Sequence, residues 1–127
     1  MKKKYSLKRN EDIARIVHEH KFIKNESYVM YYSNNQQEHT RVCISVSKKL
    51  GNAVVRNKIK RQVREMITDT INFENKIDFV IIVRNRYLEN EFSYNKGKLQ
   101  ELYFKIISRN KEKKIIAMLS ITIQIKT

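Results

Sequence analysis

The chain has 127 residues, 27 of them Lys or Arg against 13 Asp or Glu, for a net charge of +14 and a pI near 10.0. That length gives one domain with a modest core, and that charge calls for a polyanionic partner. A single cysteine, Cys43, rules out an internal disulfide or a cysteine-built zinc site, and the longest apolar stretches, 79–83 and 115–119, are too short to cross a membrane.

Residues 1–9 are basic and read as flexible; Met1-Lys2-Lys3-Lys4 is followed by no apolar segment of the kind a signal peptide needs. Asn10 is placed to cap a helix over about 11–20, with Glu11 and Asp12 in its first turn and Ile13, Ile16 and Val17 on one face. His18, His20 and His39 match no metal-site spacing. Residues 27–33 and 40–47 read as strands, joined by the polar segment 34–39 as a hairpin and hence as antiparallel neighbours. Alternation puts Tyr28 and Tyr32 on one face of the first strand and Tyr31 on the other. In the second, Val42, Ile44 and Val46 share a face, and Cys43, mid-strand, reads as a small buried residue in a reduced, cytoplasmic protein.

Gly51-Asn52 is a turn, and a helix follows over about 53–71. Val55, Ile59, Val63, Met66 and Ile67 fall on one arc of it; Arg56, Asn57, Lys58, Lys60, Arg61 and Arg64 cover the rest. From Lys48 to Arg64 there are seven basic residues and no acid. Crowded cations repel one another unless an anion is present, so a phosphate backbone is the natural partner; a solvated basic helix is the plainer alternative. Charge is uneven along the chain: residues 1–64 carry 16 basic and 5 acidic side chains, residues 65–127 carry 11 and 8. The anion-facing surface therefore belongs mainly to the first half.

Residues 77–83 are apolar without alternation and read as a strand buried on both faces. Strand, helix and strand over 42–83 suggest a crossover unit in an α+β fold. Arg84-Asn85-Arg86 forms a second small basic patch. Ser93 is placed to cap a last helix over about 93–109, built on Leu99, Leu102, Tyr103, Ile106 and Ile107. Residues 1–110 then form one domain and 111–127 a tail, in which Ile121, Ile123 and Ile125 alternate with polar residues as in a strand. The acids are scattered: Asp69 and Asp78 have no spacing that pairs them as metal ligands, and with only Gly51 and Gly97 there is no phosphate-cradling loop.

The run from Ser45 to Arg61, Ser-Val-Ser-Lys-Lys-Leu-Gly-Asn-Ala-Val-Val-Arg-Asn-Lys-Ile-Lys-Arg, resembles the signature of the bacterial ribonuclease P protein component. The resemblance spans about residues 5–107; Lys58 stands where the family has Arg. It implies a two-layer α/β sandwich, a small mixed sheet of about four strands with three helices, and a left-handed βαβ crossover, where sequence alone predicts a right-handed one. It further implies an RNA-binding subunit, itself not catalytic, that assists a catalytic RNA in Mg²⁺-dependent removal of the 5′ leader from precursor tRNA, the Mg²⁺ being held chiefly by that RNA. Carried onto this chain, Lys48, Lys49, Arg56, Asn57, Lys58, Lys60, Arg61 and Arg64 meet the ribonuclease P RNA. Ile13, Val17 and Tyr31 line the cleft that takes the leader, with Ile13 standing where the family often has Phe. A ribosomal-type RNA-binding module and a stand-alone metal-dependent nuclease are the competing readings.

Overall fold

The computed structural model describes residues 1–126, with side chains through Gln124; Thr127, and with it the end of the tail reading, lies outside the described residues. Helix α1 (Asn10–His18) leads into strands β1 (Phe22–Lys24), β2 (Tyr28–Asn34) and β3 (Arg41–Ser45). Helix α2 (Ala53–Thr70), strand β4 (Ile77–Val83) and helix α3 (Phe92–Lys126) complete the chain. Three helices and one mixed four-stranded sheet make an α+β fold.

The sheet order is β1-β2-β4-β3. β2 runs antiparallel to β4, from Tyr28 opposite Val83 to Asn34 opposite Ile77, and β3 runs parallel to β4, from Arg41 opposite Asp78 to Ser45 opposite Ile82. β2 and β3 are thus not the antiparallel neighbours that the polar link between them suggests. β4 lies between them, and its mainly apolar side chains are buried on both faces of the sheet. The 34–39 segment is accordingly not a hairpin loop but a bridge across the end of β4. Asn35 fastens it there, its side-chain amide donating to Asp78 Oδ1 at 2.6 Å and to the His39 carbonyl at 3.1 Å.

One face of the sheet carries the main core. Tyr28, Met30 and Tyr32 of β2 and Phe79 and Ile81 of β4 pack there against Ile59, Val63, Met66 and Ile67 of α2 and Leu99, Leu102, Tyr103 and Ile106 of α3. Burying a side chain of this size stabilises by about 1.5–3 kcal/mol, so this layer dominates the fold. The other face is covered only in part. Ile16 of α1 is fully buried there with Leu7 and Val80, and Ile13, Val17, Tyr31, Cys43 and Ile82 pack around them half-exposed.

The N-terminal residues are not loose. Leu7 is buried and its N–H donates to the Val42 carbonyl at 2.9 Å, while the Tyr5 ring stacks on Phe73 at 4.3 Å. Asn10 is the first residue of α1 rather than its cap; Arg9 precedes it with no side-chain capping bond, and Glu11 and Asp12 supply the negative charge a helix start favours. α3 begins at Phe92, so Ser93 lies inside its first turn, which the Asn95 N–H closes on the Glu91 carbonyl at 3.1 Å.

The tail reading also changes: residues 111–126 are helix, a continuation of α3, and not a strand. Once the buried segment from Leu99 to Ile106 has formed the helix, each further residue adds a hydrogen bond at little entropic cost, and no Gly or Pro follows Gly97 to stop it. Ile115, Ile116, Met118, Leu119, Ile121 and Ile123 are all exposed on this extension.

Candidate nucleic-acid interface

The stretch from Ser47 to Arg64 is held rigidly although its charged side chains are free. Ser47 Oγ accepts the Lys49 N–H at 3.2 Å and starts a short turn over Lys48–Leu50, whose Leu50 is buried. Gly51 follows at φ 147°, a conformation side chains other than glycine rarely adopt, and a Cβ there would sit 3.0 Å from Val55 Cβ. Asn52 Oδ1 then accepts the Val55 N–H at 3.1 Å and caps α2. The helix is pinned laterally as well: Tyr87, after β4, donates its hydroxyl to Gln62 Oε1 at 2.8 Å, and burial pushes that phenol up to about 12, so it stays a donor.

On this frame Lys48, Lys49, Asn57, Lys58, Arg61 and Arg64 are exposed, and Arg56 and Lys60 are half-buried. Among the described residues every ion pair lies elsewhere, on Arg9, Arg15, Arg41, Lys96, Lys98 and Lys105, and none involves a cation of this stretch. No acid stands in the first turn of α2. The positive end of the helix dipole and the basic side chains therefore add to one positive field. Arg56 Nε is a buried donor without a hydrogen-bond partner. A buried guanidinium nitrogen left unpaired costs stability unless an incoming acceptor meets it.

Parallel pairing of β3 and β4 brings a second cationic segment to the same end. The chain leaves β3 toward Lys48 and Lys49, leaves β4 toward Arg84, Asn85 and Arg86, and the two short turns that follow pack against each other. Arg84, Asn85 and Arg86 are all exposed.

Between α1 and the half-covered sheet face lies a groove of about 370 Å³, walled by Ile13 and Val17 on the helix and by Cys43, Val80 and Ile82 on the strands. Lys60 of α2 reaches its edge, so the groove opens onto the cationic helix. Burial pushes the Cys43 thiol up, against the opposing charge of Lys60; Cys43 is a half-buried wall residue of the groove rather than a core residue. Tyr31 lies in the same apolar cluster, and its ring meets Phe22 at 5.1 Å. Phe22 is the aromatic residue that sequence reading missed, because β1 is only three residues long and shows no periodicity. Tyr28 and Tyr32, on the other face, belong to the main core.

At the opposite end of the sheet, Arg41 forks onto buried Asp78 at 3.0 and 2.7 Å and lies 3.7 Å from Asp12, and its hydrogen bonds to Asp78 raise the guanidinium further above its ordinary range. This carboxylate is committed to structure. No cluster of three or more His, Cys, Asp or Glu side chains suited to a metal ion occurs among the described residues, and no described helix is long and apolar enough to cross a membrane.

Sheet, groove and unneutralised helix together define a small basic α+β protein with its anion-facing elements gathered along one helix and one sheet end. Comparison with known proteins gives the class a family. A family model described as Ribonuclease P matches residues 1–107. The ribonuclease P protein component of Mesoplasma florum is 45% identical over 109 residues, covering 84% of this chain and 99% of that one. The ribonuclease P protein of Staphylococcus aureus superposes with a TM-score of 0.72 at 36% identity, covering 81% of this chain and 94% of that one. That of Thermotoga maritima gives 0.68 at 31%, covering 76% and 93%. The chain belongs to the bacterial ribonuclease P protein family, whose general role is 5′ processing of tRNA as a component of an endoribonuclease that works with an RNA.

Proposed function

We propose that this chain binds the catalytic RNA of ribonuclease P through α2 and its flanking turn, and holds the 5′ leader of precursor tRNA in the groove beside α1. The observation that carries the first half is the set of seven Lys and Arg residues from Lys48 to Arg64, none of them ion-paired among the described residues. Arg9, Arg15, Arg41, Lys96, Lys98 and Lys105 pair with acids, whereas this dense run has no acid among it and is left for a partner. Lys48, Lys49, Arg56, Asn57, Lys58, Lys60, Arg61 and Arg64 are the proposed contacts. Lys58 offers a point charge where Arg would fork onto two phosphate oxygens, so that contact is monodentate.

The groove takes the leader as single strand. Ile13 and Val17 give an apolar wall, Tyr31 gives a ring for a base, and Lys60 gives charge for a phosphate where groove and helix meet. The polypeptide itself is not the catalyst. In this reading the RNA supplies the hydrolytic chemistry and holds the Mg²⁺, and the protein contributes binding. The site of action is the cytoplasm, where precursor tRNA is made.

Replacing Arg56, Lys60 and Arg64 together by Ala tests the RNA contact. Removing three phosphate contacts lowers the slope of log K against log salt by about 2 to 3 and weakens binding to ribonuclease P RNA, measured by filter retention across a salt series. An unchanged slope and affinity would remove α2 from the interface.

A further inference from the structure

Where the extended α3 crosses the end of the sheet farthest from Lys48 there is a second concave, cationic site. The register fixes its place: Asn34 closes β2 opposite Ile77, which opens β4, while Lys48 and Arg84 follow the other ends of the strands. The cavity holds about 490 Å³, within the range of small-ligand sites. Lys76 from the α2–β4 link and Lys111 and Lys114 from α3 line it, and none of the three has an ion pair among the described residues. Glu74 is the one carboxylate on its rim.

The remaining lining is amide and apolar. Asn110 Nδ2 donates to Asn34 Oδ1 at 3.3 Å, which leaves the Asn34 amide N–H groups and the Asn110 side-chain oxygen without a partner among the described residues. Asn75 is oriented by its contact to the Tyr103 hydroxyl at 3.3 Å, with its own side-chain oxygen open. Ile77, buried, and Ile107, half-buried, form the floor. Lysines suit a phosphate, amides that both donate and accept suit the edge of a base, and an apolar floor suits its face.

From this lining we infer that the site binds a nucleoside phosphate unit, presented by an unpaired stretch of RNA, and so gives the protein a second RNA contact at the far end of the sheet from α2. An acidic peptide would satisfy the lysines but not the paired amide donors and acceptors over an apolar floor. The inference rests on the reading above that the chain binds RNA. Lys111 and Lys114 lie beyond residue 107, where the family-model match ends.

The test uses the full-length, isotope-labelled chain, with α2 intact and with Arg56, Lys60 and Arg64 replaced by Ala. Each form is titrated with a six-nucleotide single-stranded RNA of mixed sequence and, separately, with adenosine monophosphate, while backbone and side-chain amide signals are followed. RNA is expected to shift the Asn34, Asn110 and Lys111 signals in both forms. Adding Lys111→Ala and Lys114→Ala, both exposed and without packing roles, should then weaken the residual binding of the α2 variant about tenfold. Equal shifts with the free mononucleotide would assign the site to a soluble nucleotide, keeping the ligand chemistry and replacing the strand as its source. If the α2 signals move and these do not, the second site is refuted and the α2 interface stands. If no signal moves in either region, RNA binding by the chain fails and the second site fails with it.

Discussion

Lys60 joins the two surfaces of the protein: its aliphatic stem is half-buried at the groove edge and its charge belongs to the α2 ridge. Tyr31 belongs to the apolar cluster beside the groove. Strand alternation alone separated it from Tyr28 and Tyr32, and the structure keeps that division, with the latter two in the main core. Nothing in the local sequence joined Phe22 to it, since that pairing depends on the β1–β2 register. Stacking of a base on an aromatic ring contributes about 1–3 kcal/mol, so Tyr31→Ala should weaken precursor tRNA binding about tenfold while sparing mature tRNA. Fluorescence anisotropy with both ligands checks this, and equal losses would argue against leader stacking. Arg41 plays a structural part. Asp78 beneath it is fully buried, and removing the guanidinium leaves a buried carboxylate supported only by Asn35. Arg41→Ala should destabilise the fold by about 3–5 kcal/mol in denaturant unfolding, with the basic face of α2 untouched.

At the scale of elements, α2 is the part most fully legible beforehand. Its apolar arc, its turn at Gly51-Asn52 and its basic remainder are local signals, and the observed helix Ala53–Thr70 follows them within a residue. The turn is also its weak point. Gly51→Ala places a side chain at φ 147° against Val55 and should cost about 1–3 kcal/mol, read from the denaturation midpoint, with lower RNA affinity as Lys48 and Lys49 shift. Strand partners were less legible. A polar link between two strands favours a hairpin, yet β4, arriving forty residues later, takes the place between β2 and β3. The doubly apolar run of β4 indicated a strand covered on both faces, but the strands that flank it are set by pairings between residues distant in sequence. The tail misled for a different reason. Alternating isoleucines suit a strand, but a strand needs an edge to join, and a helix already anchored at Leu99–Ile106 needs only to continue.

For the whole molecule, the charge asymmetry acquires a geometry. The basic excess of the first half concentrates on α2 and the turn before it, the parallel β3–β4 pair brings Arg84 and Arg86 to the same end, and α1 leaves one sheet face half-open beside them. Composition predicted a polyanionic partner, and the Ser45–Arg61 run pointed to the family; the nearness of groove and ridge, which depends on three separated segments meeting, had no local signature. The proposed role is to assist an RNA catalyst, without cleavage by the protein itself. The most direct test mixes the purified chain with bacterial ribonuclease P RNA and a precursor tRNA, at a Mg²⁺ concentration where the RNA alone is nearly silent, and follows release of the 5′ leader. Cleavage at the mature 5′ end is expected only when protein and RNA are both present. Cleavage by the protein without the RNA, or no gain over the RNA alone, would contradict it.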